Sequence, residues 1–460
     1  MSLLAKLIEP SQKYQKGQHP FSNSDLKKIL IPLLIEQSLQ LVVGIADTLM
    51  VSYAGEAAVS GVSLDTMFYS IFLFMFNAVA TGGSVVVAQY LGKGDINQAD
   101  FAASQIVRIA AIFSTACMVL ILLTGKWILK GLYGSVEADV MAACRTYLWI
   151  VTLAFPASAL YNAGAAIFRS MGRTKTTMTV SILMNVLNVI GNAIGVFALH
   201  AGAAGVAWPT TISWYFAAVV MVSLCFRSGK EVQIRMDLIL RRDMEMVKRI
   251  LHIAIPNGLE SGLFQASKVF IGTMIATYGT YQIAANGISQ TLWNFSALMT
   301  SSMGPVFITV IGQCMGAGNK DGAEYYLHKL PRITFFLALA WNILFGACLP
   351  LIVQLYDISA QTRQLVLICV WLHCLFLPFV QPWSFPLSAG LQATGDVKFS
   401  LYSSIFTSVF LRIIFTIILG NMLHLGVIGV TIAMISDWIV KAILDVIRVG
   451  SGRWREKRVI

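Results

Sequence analysis

The sequence predicts an all-α, polytopic membrane protein with twelve transmembrane helices, in two six-helix lobes related by pseudo-two-fold symmetry. Three observations carry this. Of the 460 residues, 57% are apolar types and 12% are charged, about half the charged share of a soluble domain. Apolar runs long enough to cross about 30 Å of hydrocarbon recur from Ile29 to Ile447. The chain also resembles itself at a displacement of 224 residues, nearly half its length.

The runs show no strand alternation, and inside a bilayer only helices or closed barrels satisfy the backbone. The spans predicted in order are 29–54, 64–91, 102–125, 140–168, 176–199, 203–226, 250–277, 288–315, 331–353, 362–392, 399–420 and 426–447. They divide the chain into a cytoplasmic N-terminal segment (1–28), an N-lobe (29–226), a cytoplasmic inter-lobe loop (227–249), a C-lobe (250–447) and a cytoplasmic basic tail (448–460). The first 28 residues are polar and basic and lack the apolar core of a signal peptide, so they read as part of the mature protein.

Charge sets the orientation. Of the 33 Lys and Arg, 26 fall at the termini or around the loops on one side, four fall on the other side, and Lys268, Arg412 and Lys441 lie inside spans. The positive-inside rule then places both termini in the cytoplasm. The net charge of +11 follows from this topology and does not imply a nucleic-acid partner.

The repeat is carried by loops as well as helices. AQYLGKGDINQAD (88–100) matches GQCMGAGNKDGAE (312–324), and LHAGAAGV (199–206) matches LHLGVIGV (423–430). At the same displacement Pro32 falls on Pro256, Glu36 on Glu260, Gly55 on Gly279 and Trp214 on Trp438. Six spans repeating as six spans keep one orientation, which gives two parallel lobes suited to alternating access. The joint between them is basic, and its alternating apolar residues suggest an amphipathic helix along the inner surface.

No Walker motif, GxSxG or HExxH occurs, and no soluble stretch is long enough for a catalytic domain, so an enzyme is not expected. Seven cysteines are scattered through apolar runs without metal-ligand spacing, and no cofactor is expected.

A charge at mid-bilayer costs at least a few kcal/mol, so each one needs a reason. Asp47 stands in the run LQLVVGIADTLMV (39–51). Asn188 and Asn192, spaced i and i+4 in span 5, share a helix face, and Thr210 in span 6 adds a hydroxyl. Such a cluster can hold Na⁺ through oxygens or carry a proton on Asp47; the bland alternative is mutual hydrogen bonding that fixes packing. Glu36 and Glu260 each stand four residues after a proline and suit either structure, gating or a secondary proton site. In the C-lobe, Ile271 and Arg412 replace Asp47 and Asn188. Arg412 is expected to pair with Asp437, and Lys268 to face a cavity. Aromatic residues such as Phe68, Phe74, Phe76, Trp293, Phe295, Trp383 and Phe385 are candidates for a substrate path, although most large apolar side chains in spans meet lipid or other helices.

IADTLMVSYAGEAAVSGVSL (45–64), AQYLGKGD (88–95), FRSMGRTKTTM (168–178) and ISDWIVKAILDVIRVGSGRW (435–454) together resemble the multidrug and toxic compound extrusion (MATE) transporters over nearly the full length. The last segment is similar to the DinF-like branch. The resemblance implies a twelve-helix, two-lobed secondary antiporter. It exports drug-like or amphipathic organic compounds in exchange for H⁺ or Na⁺. The family's cation site carries over onto Asp47, Asn188, Asn192 and Thr210. The second span-5 position is Asp in some members and Asn192 here, which leaves the ion open. NorM-like members carry acids in spans 7 and 10. The matching positions here are near Phe264 or Gln265 and Trp383 or Ser384. With Lys268 and Arg412 in the same lobe, an anionic substrate is compatible, and a flippase for a lipid-linked or anionic amphipathic substrate is the alternative. The expected setting is the inner membrane, as a monomer with lipid and a small organic substrate as its partners.

Overall fold

The computed structural model describes residues 7–11, 19–133, 137–227, 231–241, 243–356 and 358–460. Lys6, Lys13 and Lys16 of the basic N-terminal segment, and Lys230 and Arg242 of the central loop, lie outside these residues. Among the described residues the secondary structure is helical throughout, with no strand.

The helices of the first repeat are α1 (Asn23–Ser52), α2 (Glu56–Lys93), α3 (Ile96–Tyr133), α4 (Ala138–Thr152), α5 (Phe155–Ser170), α6 (Thr174–Ala193) and α7 (Ala204–Phe226). Among the described residues of the central loop the helix ahead of α9 is the five-residue α8 (Met236–Leu240), shorter than the amphipathic helix the alternating apolar residues suggest. The second repeat contains α9 (Met244–Ile275), α10 (Thr280–Ser296), α11 (Leu298–Ser301), α12 (Gly304–Gly316), α13 (Lys320–Gln354) and α14 (Ala360–Val380). It closes with α15 (Phe385–Thr394), α16 (Val397–Ser404), α17 (Arg412–Phe415) and α18 (Gly426–Gly450).

These elements fall into twelve passes, and the pass boundaries correct several predicted spans. Ten helical stretches are individually long and apolar enough to cross a membrane, and α4 with α5, bent by 48° at a short break, supplies an eleventh. The pass containing α9 falls short of that apolar standard because Asn257, Glu260, Gln265 and Lys268 interrupt it. Spans 1 and 3 run longer than predicted, over Asn23–Ser52 and Ile96–Tyr133, because polar residues at their ends continue the helix.

The repeat extends to backbone conformation. Gly55 and Gly279, which open α2 and α10, have φ of 103° and 98°. The loop histidines His200 and His424 both adopt positive φ, 48° and 55°. That conformation is uncommon for a residue with a Cβ, so the shared strain marks a turn of one design used twice.

Close helix crossing in the first repeat depends on two glycines. A Cβ on Gly195 would lie 2.0 Å from the Gly205 carbonyl oxygen. Small residues permit such backbone approach in membranes. In the second repeat a Cβ on Gly429 would meet the Leu419 carbonyl carbon at 2.6 Å.

The chain forms two compact units. One is Lys27–Gly258, and the other joins Met1–Leu26 to Leu259–Ile460. In the first unit the central loop packs on α3: Gln233 N donates to Asp100 Oδ1 at 2.8 Å, and Gln105 Nε2 donates to the carbonyls of Leu238 and Arg241 at 2.7 and 2.9 Å. In the second unit the N-terminal segment packs on α13. Lys329 Nζ bonds Glu9 Oε1 at 2.7 Å, His19 stacks on Tyr325 at 3.8 Å, and Phe21 N donates to Tyr326 Oη at 2.9 Å. Burial alone would raise the Glu9 carboxyl; the Lys329 ammonium and Tyr325 hydroxyl outweigh it and hold Glu9 below the usual carboxylate range.

Candidate functional site

The first unit brings Asp47, Asn188, Asn192 and Thr210 together. Helix α6 presents the two asparagines one turn apart, and both are buried. Asn192 Nδ2 donates to Asp47 Oδ1 at 2.8 Å. With the Asn188 amide turned so that its nitrogen faces the acid, it donates to Asp47 Oδ1 at 2.9 Å and Oδ2 at 3.3 Å, and its oxygen accepts from Thr210 Oγ1 at 3.2 Å. That orientation satisfies both ends of the amide and follows from hydrogen-bonding logic. Thr210 Oγ1 also lies 2.9 Å from the Val206 carbonyl of its own helix, so the amide and that carbonyl compete for its single hydroxyl proton.

Among the described residues no Lys or Arg forms an ion pair with Asp47. The carboxylate is held by neutral amides alone, and the buried Asn192 Oδ1 has no hydrogen-bond partner. In this arrangement both amides turn N–H groups to the acid, the site carries one formal negative charge, and only Asn192 Oδ1 keeps an unused lone pair. Its chemistry fits a proton on Asp47; a hard monovalent cation would need the amides to turn their oxygens inward.

The other acids in the helices are held differently. Glu36 is fully buried and accepts from Arg169 Nη2 at 2.6 Å and from Thr177 Oγ1 at 2.9 Å. Asp437 accepts from Arg412 Nε, both side chains being buried. Glu260 accepts from Gln392 Nε2 at 3.2 Å and from Ser404 Oγ.

Lys268 is half-buried and makes two ring contacts: its Nζ lies 5.1 Å from the Phe264 centroid and 5.4 Å from the Trp293 centroid. The Arg412 guanidinium lies 4.8 Å from Phe264 as well, so one aromatic ring faces two cations. Trp383 packs beside Phe335 instead, with centroids 5.8 Å apart, and Gln265 is partly exposed on α9. Of the other aromatic candidates, Phe76 is buried among Phe113 and Phe155 and is a packing residue.

Sequence reasoning missed Asp65, which is fully buried in α2 and accepts from Cys144 Sγ at 3.0 Å. It was findable by the signal that marks Asp47, a carboxylate inside an apolar run. It also missed Asp445 and the partners of Glu36 and Glu260, which lie far away along the chain.

The MatE family model matches the chain twice, over residues 32–194 and again over residues 256–418. The chain belongs to the MatE family. The two matches are offset by the same displacement as the internal repeat, so each half carries one copy of the MatE element. The uncharacterized transporter YisQ of Bacillus subtilis is 26% identical over 436 residues, covering 93% of this chain and 94% of YisQ. A probable multidrug resistance protein NorM of Thermotoga maritima is 22% identical, covering 97% and 96% of the two chains. Among solved structures, a MATE in complex with MaL6 superposes with a TM-score of 0.87 at 20% identity, over 98% of this chain and 99% of that one. A transporter from Pyrococcus furiosus, described by "reverse polarity of binding pocket", gives 0.85 at 19% identity, with the same 98% and 99% coverage. These likenesses establish the all-α, two-lobed MatE fold. As a MatE protein the chain is a membrane transporter and not an enzyme.

Proposed function

We propose that this MatE protein is a secondary antiporter, exporting drug-like or amphipathic organic compounds in exchange for H⁺ or Na⁺ at Asp47. The observation that carries the reading is the state of that carboxylate: a charge in a membrane helix, held by Asn188 and Asn192 with no counter-charge among the described residues. Each other membrane acid discussed above, apart from Asp65, has a cationic side chain within 4.0 Å. An acid left without one gains most from binding a proton or a small cation. Occupancy then biases two conformations through its different affinity for each, and two parallel repeats suit that exchange. On this reading the protein acts in the cytoplasmic membrane as a monomer with both termini inside, and the similarity of its C-terminal segment to the DinF-like branch supports membership of that branch.

The test is dye efflux from proteoliposomes under separately imposed pH and Na⁺ gradients. Efflux driven by one of the two gradients is expected, and Asp47→Asn should abolish it while leaving insertion and folding intact. Wild-type efflux by that variant would remove Asp47 from the mechanism.

A second reading, a flippase or exporter for a lipid-linked or anionic amphipathic substrate, is favoured by Lys268 and Arg412 around Phe264. In the same vesicles, Lys268→Met should cut transport of anionic dyes at least tenfold, a loss of about 1.4 kcal/mol of binding, and spare cationic dyes. Equal losses for both would reject the anionic reading.

A further inference from the structure

We propose that Glu260, Lys441 and Asp445 form a second proton-binding site, in the second unit, where two carboxylates share one ammonium and one exchangeable proton. The site is separate from Asp47 and does not require coupling there.

Helix α18 places Asp437, Lys441 and Asp445 at successive i, i+4 positions on one face. Lys441 Nζ stands 3.9 Å from Glu260 Oε1 and 4.0 Å from Asp445 Oδ2, and it donates to Ser404 Oγ and, at 3.3 Å, to Ser388 Oγ. The Glu260 oxygens accept from Ser404 and Gln392. Asp445 is fully buried, and neither of its oxygens has a hydrogen-bond partner.

The remaining charges around the cluster cancel in pairs. Arg412 of α17 is bound to Asp437, and Arg448 of α18 is bound to Asp396, Nε to Oδ2 at 2.6 Å and Nη2 to Oδ1 at 3.1 Å. From α14 the ring of His373 lies 5.8 Å from that of Trp438, and from α9 Lys268 faces the rings of Phe264 and Trp293. With both acids ionised, Glu260, Lys441 and Asp445 carry one surplus negative charge. That charge falls on Asp445, the carboxylate without a donor, and a buried charge without hydrogen bonds is strongly disfavoured. One proton neutralises the cluster. Glu260 has 19% of its side chain exposed, whereas Lys441 and Asp445 have none, so Glu260 is the port through which the proton enters and leaves. A metal cation suits the place poorly, because the Lys441 ammonium already stands between the carboxylates and repels it.

The test is infrared spectroscopy of the full-length protein in proteoliposomes, reading the carboxylic acid C=O band in wild type minus Asp445→Asn. The difference band is expected in acid, lost in alkali between about pH 5 and about pH 9, unmoved by NaCl at fixed pH, and retained in an Asp47→Asn background even where efflux is gone. A band constant throughout that range, absent throughout it, or displaced by NaCl would overturn the proposal. Lys441→Met provides a second reading should Asp445→Asn not fold. Removing the ammonium should move the loss of the band at least about one pH unit upward, and an unmoved midpoint would overturn the site. Glu260→Gln should abolish the band at neutral pH, because Asp445 then shares Lys441 with no other carboxylate and stays ionised; a band unchanged in that variant would overturn the shared-proton scheme.

Discussion

Glu36 and Glu260 occupy one position of the repeat in two different electrostatic settings. In the first unit Glu36 has its own cation, Arg169, and a hydroxyl from Thr177, and the side chain is sealed. In the second unit Glu260 shares Lys441 with Asp445 and keeps an exposed edge. The positions equivalent to Lys441 and Asp445 are Ala217 and Met221, both buried apolar residues of α7. The ionisable features are exchanged elsewhere too: Asp47 with neutral amides in one half, and the closed pair Arg412–Asp437 in the other. Duplication fixed the helices and turns, whereas the charges diverged. Each half thus has acids closed by a cation and at least one left short of positive charge, at different positions of the repeat.

Removing the negative charge at the two equivalent positions should sharpen that contrast most. Glu36→Gln takes a fully buried carboxylate from the partly buried Arg169 guanidinium and should cost about 3 kcal/mol, seen as a large drop in thermal stability in detergent. Glu260→Gln leaves Lys441 a carboxylate, Asp445, and the cluster becomes neutral. Its cost should be about 1 kcal/mol or less. Equal losses would mean that the surplus charge in the second unit is not real.

A smaller effect is expected where the N-terminal segment docks on α13. Glu9 titrates below its ordinary value in the folded state, so its contribution is complete above the unfolded carboxylate value and is lost as pH falls through the depressed one. The partly exposed pair with Lys329 is worth about 1 kcal/mol or less. Hydrogen exchange at the Phe21 amide, which donates to Tyr326, should quicken modestly below about pH 4. It should quicken to a similar extent at neutral pH in Glu9→Gln. Insensitivity to both would remove this pair from the docking.

Much of the fold was legible because it rests on length and periodicity. Apolar runs gave the passes, and loop matches gave the repeat. Asp47 with Asn188 and Asn192 was legible because a lone acid in an apolar run is conspicuous and two amides at i, i+4 must share a face. What stayed hidden is set by tertiary pairing. Arg169 counts in the sequence as one more cation near a loop, and only the packing of α1 against the end of α5 and the start of α6 makes it the partner of Glu36. Asp445 stands beside a basic tail and looks solvated, but α18 continues through that region and seals it. The break between α4 and α5 was hidden for a similar reason, since both halves are apolar and the bend leaves no gap in hydropathy.

The docking of Glu9, His19 and Phe21 on α13 also bears on biosynthesis. This segment leaves the ribosome first, yet Tyr325, Tyr326, Lys329 and Arg332, which receive it, are among the later residues made. It must wait, undocked, until α13 has been made, so its docking follows the synthesis of the first half. The central loop has no such delay, because α3, which it grips, is already in place when it emerges. A gene cut at residue 226, between the repeats, would part the central loop from α3 and the N-terminal segment from α13, so each fragment would carry the strap that belongs to the other.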